Sequence, residues 1–376
     1  MEQTKRKNRI VGRLYRLGPK RHWLLLVSSL LVLLHLLTRR DYPLNRALSE
    51  HFVRPVHRFL SQLNAHVPFS VAELLIGLAA AAVLVYIIRF LILFILRKNR
   101  LLRVYITLIT LGSFAMSVYA GFCLLWGVYY YGDDFAARSG LSDQPVSVQE
   151  LATVTAYFAD RCNEYGQLVE RNAKGAYVAD RQAILDRSPE LYERIQQEYP
   201  CLEGPRLRAK PVFFSRVMSY VDFTGFFFPF TAEANVNTDF PPSLFASTVA
   251  HELAHQRGVA KEQEANFVAV IASLENGDLD YCYSSSLLAY IHLSNALYSA
   301  DRAAWQRIYR CLSPQVLRDM QINRSYWKQF ETPVQTVSNT VYEGFLYSYD
   351  QDLGLKSYGA CVDLLVNYYI DKAYGH

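Results

Sequence analysis

The residues of this chain best suited to chemistry gather in one stretch, STVAHELAHQRGVAKEQEANF (residues 247–267), where two histidines stand four apart and a glutamate directly follows the first. On a helix, His251 and His255 at i and i+4 project from one face. Two neutral imidazoles so placed are two of the three protein ligands that a catalytic zinc needs, the fourth position being left to water. Glu252, one residue after the first histidine, falls beside that water without binding the metal, which is the place of a general base. The chemistry expected is peptide-bond hydrolysis by a zinc-activated water, with Glu252 taking the proton and passing it to the leaving amine.

The elements that must position these groups are also visible. PPS at 241–243 halts the preceding chain and offers Ser243 as an N-cap, while Gly258 suits a left-handed C-cap. Phe245, Val249, Leu253 and Ala254 supply apolar packing for the helix between them. In metzincins the pattern continues as HExxHxxGxxH, but Lys261, a poor zinc ligand, stands where the third histidine would fall. Glu262 and Glu264 remain. A second helix starting near Lys261 would turn Ala265, Phe267 or Val268, and Ile271 towards the core, with Glu264 near that inward side. Glu262 suits the first turn as a dipole-stabilising carboxylate. The preferred site is therefore His251, His255 and Glu264 around Zn2+, with Glu252 as the catalytic base.

Three apolar runs precede this segment in a chain of 376 residues. They predict transmembrane helices over 22–39, 69–96 and 104–131, each meeting the ~20-residue span requirement, the first only marginally. Lysine and arginine crowd a basic tail (1–21) and the loop holding Arg97, Lys98, Arg100 and Arg103. Both are expected on the cytoplasmic side of the plasma membrane, which leaves 132–376 extracytoplasmic. Arg89, inside the second run, can snorkel towards the inner surface. Between the first two spans, 50–64 reads as an interfacial amphipathic helix, with Phe52, Val53, Val56, Phe59, Leu60 and Leu63 at helical spacing and His57 solvated. The lipid bilayer is thus one expected partner and a peptide or protein substrate the other. A net charge of +5 gives no case for nucleic acid. The six cysteines contain no CxxC pair and do not fix the redox compartment.

In the large C-terminal portion, VQELATVTAYFADRCNEY and SPELYERIQQEY read as helices, the second capped by Ser188. KPVFFSRVMSYVDFTGFFFPFTAEANVN reads as two strands, the second over 225–237. Phe226, Phe227 and Phe228 are core by default. Pro229 makes that second strand bent or an edge, and an edge beside a metal-binding helix can hold an extended peptide by main-chain pairing. His292 falls in a later helix as a packed or exposed residue. Tyr358, before a last amphipathic helix, is a candidate oxyanion donor beside the alternative of a core tyrosine.

HELAHQRG followed by EANF, and preceded by PFTAEANVN, resembles a bacterial family of multi-span membrane proteins known only as a domain of unknown function. Its members look like gluzincin-type (HExxH plus Glu) zinc metallopeptidases. VPFSVAELL at the second span and GLKSYGACVDLLVNYY near the C-terminus extend the resemblance from about residue 40 to 370. Ala232 departs from it where the family pattern has glycine before the glutamate. The resemblance implies fold and metal, and in related peptidases the glutamate of a following EA helix is the third ligand, which favours Glu264. The fold class expected is α+β, mainly α: three transmembrane helices and then an extracytoplasmic zincin-like domain with a small β-sheet or hairpin. The function expected is that of a membrane-anchored zinc peptidase. The rival is a non-catalytic envelope protein with a structural or vestigial zinc site.

Overall fold

A computed structural model describes residues 19–349 and 359–375. The chain divides into two units, one taking the residues up to Val53 together with Ala72–Gly132, the other Arg54–Val71 and everything from Asp133 onwards.

The first unit holds three helices long and apolar enough to cross a bilayer: Pro19–Thr38, Val71–Leu96 and Arg100–Leu125. At ~1.5 Å per residue even the shortest reaches across a ~30 Å hydrocarbon core. The first and third pack together on small and hydroxyl side chains. Ser28 Oγ lies 2.9 Å from Ser117 Oγ, Ser113 Oγ donates to the Arg21 carbonyl, and Val32, Ala120 and Cys123 fill the seam. In an apolar medium such close approach and interhelical hydrogen bonding replace the hydrophobic drive that operates in water. The third span stops at Leu125 rather than running to Tyr131. Gly127–Tyr131 forms a 3-10 turn beside the short helix Tyr42–Leu48, with Val128, Tyr130 and Tyr131 buried.

The second unit opens with α1 (Arg54–Asn64), whose burial is inverted relative to ordinary surface helices. His57 and Ser61 are buried, whereas Phe59 and Leu63 are 65% and 63% exposed. His57, expected in solvent, packs edge-on against Phe227, and burial lowers its pKa to about 4. The helix is held by polar contacts: Arg54 donates to the Cys201 carbonyl and Asn64 Nδ2 to the Thr231 carbonyl.

Then follow α2 (Phe135–Ser139) and α3 (Val148–Leu168), the latter started by a Ser147–Glu150 capping box. SPELYERIQQEY, expected as one helix, is broken into a 3-10 turn at Ser188–Glu190 and a single turn at Ile195–Glu198. Leu191, Tyr192 and Ile195 are all buried in the core although the segment between the two turns is irregular. Ser188 Oγ donates to the Leu185 carbonyl instead of capping a new helix.

The sheet has three short strands, β1 (Lys210–Pro211), β2 (Gly225–Phe228) and β3 (Glu233–Val236), in the order β1-β3-β2. SRVMSY, expected in a strand, is helical (Ser215–Tyr220). The single strand expected over 225–237 is an antiparallel hairpin pairing Gly225 with Val236 and Phe228 with Glu233. Pro229 cannot donate to a ladder and Ala232 adopts a φ of +54°, so the chain reverses between them. Phe226, Phe227 and Phe228 are half-buried. β3 is fully buried. Its Glu233 pairs with Lys210 and accepts from Thr231, while Asn235 Oδ1 accepts from Ser70 Oγ at 2.6 Å.

Four helices complete the part that carries the site: α4 (Phe245–Gln256), α5 (Glu262–Asn276), α6 (Leu279–Ala300) and, later, α7 (Pro333–Ser348). The last helix, α8 (Gly359–Tyr374), packs on α3 and α5. In α5, Ala265 and every residue from Phe267 to Ala272 are completely buried, so this helix is surrounded by protein. Ser285 Oγ donates to Ser273 Oγ across the tight α5–α6 contact. Truncating Phe267 to alanine removes a filled core position and is expected to cost about 3–5 kcal/mol. A lowered denaturation midpoint of the detergent-solubilised full chain would register it.

Candidate metal centre

α4 is entered through a 3-10 turn, Pro242–Leu244, and Ser243 does not cap it. Instead the Ser247 N–H donates to Ser284 Oγ of α6, 2.9 Å away, so a neighbouring helix satisfies one of the open amides. The C-terminal end follows the sequence expectation. Gly258 has φ +80°, its N–H donates to the His255 carbonyl, and the Val259 N–H donates to the Ala254 carbonyl. These two bonds form a Schellman cap. They also fold the Val259 carbonyl back onto His255 Nδ1, at 2.7 Å. A carbonyl can only accept, so His255 carries its proton on Nδ1 and presents Nε2 as a donor lone pair.

His251 is oriented by α5. Its Nδ1 lies 2.9 Å from Asn266 Oδ1, again directing Nε2 into the site. The two rings meet edge to face with centroids 4.6 Å apart. Opposite them stands Glu262, whose Oε2 is 3.2 Å from His251 Nε2 and 3.6 Å from His255 Nε2. The three donor atoms lie within 4.8 Å of one another, and theirs is the group among the described residues that could hold a metal ion. Two ligands each ~2.0–2.1 Å from a tetrahedral zinc are ~3.3 Å apart, close to both separations. The donor set and the outer-shell bonds that fix both tautomers fit zinc.

The carboxylate that the structure brings to the two imidazoles is that of Glu262 and not that of Glu264. α5 begins at Glu262, so Glu262 and Asn266 stand at i and i+4 on the face that meets α4, and both reach His251. Glu264, two residues on, points away. Its carboxylate is buried and accepts from the Ala136 N–H at the start of α2, and burial, with Asp134 nearby, raises its pKa. Placing Glu264 by an apolar face fails because α5 is buried nearly all round and has no distinct inward side. Lys261 forms a 2.7 Å ion pair with Asp134. Tyr358 lies outside the described residues.

Two further residues at the site carry no local sequence signal. The Tyr342 hydroxyl of α7 donates to Glu262 Oε1 at 2.8 Å, holding the carboxylate from behind. Gly225, the first residue of β2, lies flat against Glu252: a Cβ there would be 2.5 Å from Oε1 and 2.7 Å from Cγ. His292 is buried in α6, its pKa lowered to about 4 by burial and by the nearby His251.

Glu252 is buried at 4% exposure, and its Oε2 accepts no hydrogen bond from any described residue. Burial raises its pKa to about 7, against the opposing pull of His251 and His255. Burial alone would lower the pKa of His255, but the Glu262 carboxylate overrides it and brings it to about 9. The same pairing holds Glu262 well below the usual carboxylate range despite its own desolvation. Without metal, the site balances its charge with a proton on His255.

Two outcomes follow. Zinc per purified chain is expected to fall from about one to near zero in Glu262→Gln and to persist in Glu264→Gln, as read by elemental analysis. A metal must also displace the His255 proton. Apparent zinc affinity should therefore weaken as pH falls below about 9, by roughly tenfold per pH unit, in chelator-competition titrations. In Glu262→Gln the raised imidazole pKa should collapse towards or below that of free histidine, as followed by NMR titration.

No curated protein and no solved structure is significantly similar to the chain. A family model does match it, over residues 48–366, a span that takes in the second and third apolar helices and every residue of the His251–His255–Glu262 cluster. The chain belongs to the family described as "Protein of unknown function (DUF3810)".

Proposed function

We propose that this protein is a membrane-anchored zinc metallopeptidase whose second unit cleaves peptide bonds outside the cytoplasmic membrane. The observation that carries the proposal is the pairing of a three-donor cluster with a buried carboxylate, Glu252, that has an oxygen unused by any described residue. A structural zinc is normally closed by four protein ligands, whereas three donors leave one position for substrate or water. A zinc held by His251, His255 and Glu262 would supply Lewis-acid polarisation of a water and of the scissile carbonyl.

The chain's own residues account for the rest of the mechanism. Glu252, with a pKa raised to about 7, is matched to accept a proton near neutrality and return it to the leaving amine. Val259 and Asn266 fix the two imidazole tautomers, and Tyr342 orients Glu262. β2 is an edge of the sheet and its first residue abuts Glu252, so an extended peptide pairing with its free side would be carried past the base. Such main-chain pairing recognises backbone and leaves side-chain preference to neighbouring pockets.

The membrane part of the proposal rests on the three apolar helices and on the inverted burial of α1. A helix that docks through His57 and Ser61 and turns Phe59 and Leu63 outward is suited to the lipid interface, six residues before the second span begins. The distribution of lysine and arginine supports an N-terminus in the cytoplasm and a second unit outside.

Glu252→Gln is the direct test. The variant should keep its zinc and lose cleavage of a peptide library by about a hundredfold or more; unchanged turnover with zinc retained would overturn the general-base assignment. Gly225→Ala is expected to push the Glu252 carboxylate aside. It should lower kcat with zinc content unchanged, measured in the same assay.

A further inference from the structure

The second span stands apart from its neighbours along its most apolar stretch, where no residue is buried. Towards the end that joins the third span, a cavity of about 150 Å3 opens between the helices. Each span contributes one arginine to it: Arg21 from the first, Arg89 from the second and Arg103 from the third. Tyr86 and Thr107 add hydroxyls, and Phe90 an apolar wall.

Three guanidinium groups gathered around one cavity among apolar helices repel one another, and like charges so placed are costly unless an anion pairs with them. None of the three forms an ion pair with a described residue, and Arg103 Nε is buried without a hydrogen-bond partner. An anion would resolve both problems. The planar fork of a guanidinium matches the oxygens of a phosphate in bidentate fashion, and three forks can enclose one. The cavity is smaller than the ~300 Å3 of ordinary small-molecule sites, so it accommodates a headgroup and not a whole ligand. The remainder of the ligand must be apolar, because Phe90, Leu93 and Ile106 line the rest of the cavity.

We propose that Arg21, Arg89 and Arg103 bind the phosphate of an anionic phospholipid whose acyl chains lie along the second span. The chemistry shared with a free phosphate ion is the phosphate oxygens; what distinguishes the lipid is its tails and its origin in the bilayer. The site is independent of the metal centre, and its test leaves peptidase activity aside.

The experiment is native mass spectrometry of the full chain released from micelles holding equal phosphatidylglycerol and phosphatidylcholine. The expected result is preferential retention of one phosphatidylglycerol. Arg89→Gln/Arg103→Gln should reduce that retention about tenfold, whereas Arg97→Gln/Lys98→Gln in the adjoining loop should not. Arg21→Gln gives a partial loss and serves as the second variant should the double substitution aggregate on size exclusion. Added inorganic phosphate should leave the lipid in place. Equal retention of the two lipids, retention unchanged in both Arg→Gln variants, or displacement of the lipid by inorganic phosphate would each overturn the proposal, the last in favour of a free-anion site.

Discussion

Between His255 and Glu262 the chain has six residues in which to end one helix, reverse, and return a carboxylate to within hydrogen-bond range of two imidazoles. The left-handed conformation at Gly258 makes this possible, because a side chain there would meet the steric cost that glycine avoids. The same turn delivers the Val259 carbonyl to His255 Nδ1, so one backbone reversal sets both the tautomer of one donor and the position of another. Everything else near the site supports that contact. α5 is buried almost entirely to keep its first turn in place, and α6 supplies the hydroxyl that caps α4.

The electrostatics of the cluster are those of two buried carboxylates facing two imidazoles. Glu262, held ionised, raises the pKa of His255, and Glu252 is desolvated close by with its own pKa driven upward. Two carboxylates so near each other in a buried region require compensating positive charge, from a proton or from a metal. The two carboxylates are also separated in role by their partners. Tyr342 hydrogen-bonds Glu262, while one oxygen of Glu252 is left without a donor among the described residues.

The sheet is small, yet it links two features of the second unit. β3 is anchored through Glu233 and Asn235 to the segment that leads into the second span, by contacts to Ser70 and the Val71 N–H, and Glu233 also pairs with Lys210 of β1. On its other side it carries β2, whose Gly225 touches the candidate base. The polar residues of TAEANVN thus act as buried structural ties, and it is the strand before them that lies against Glu252.

The sequence by itself marked the two histidines, the adjacent Glu252, the glycine turn and the three apolar helices, because each is a local pattern: i,i+4 spacing, a conformational demand on one residue, or a run of apolar side chains. It also limited the third donor to two glutamates. Choosing between them was a tertiary matter. An apolar-face argument needs a helix with one wet side, and α5 has almost none, so the decisive relation was the shared face of Glu262 and Asn266 against α4. Tyr342 and Gly225 reach the site from 80 residues and 27 residues away in sequence from Glu262 and Glu252, with nothing local to mark them. The hairpin in place of one strand, and the outward apolar side of α1, were decided in the same way. Both depend on which surface a segment meets, and that is fixed by packing between distant parts of the chain.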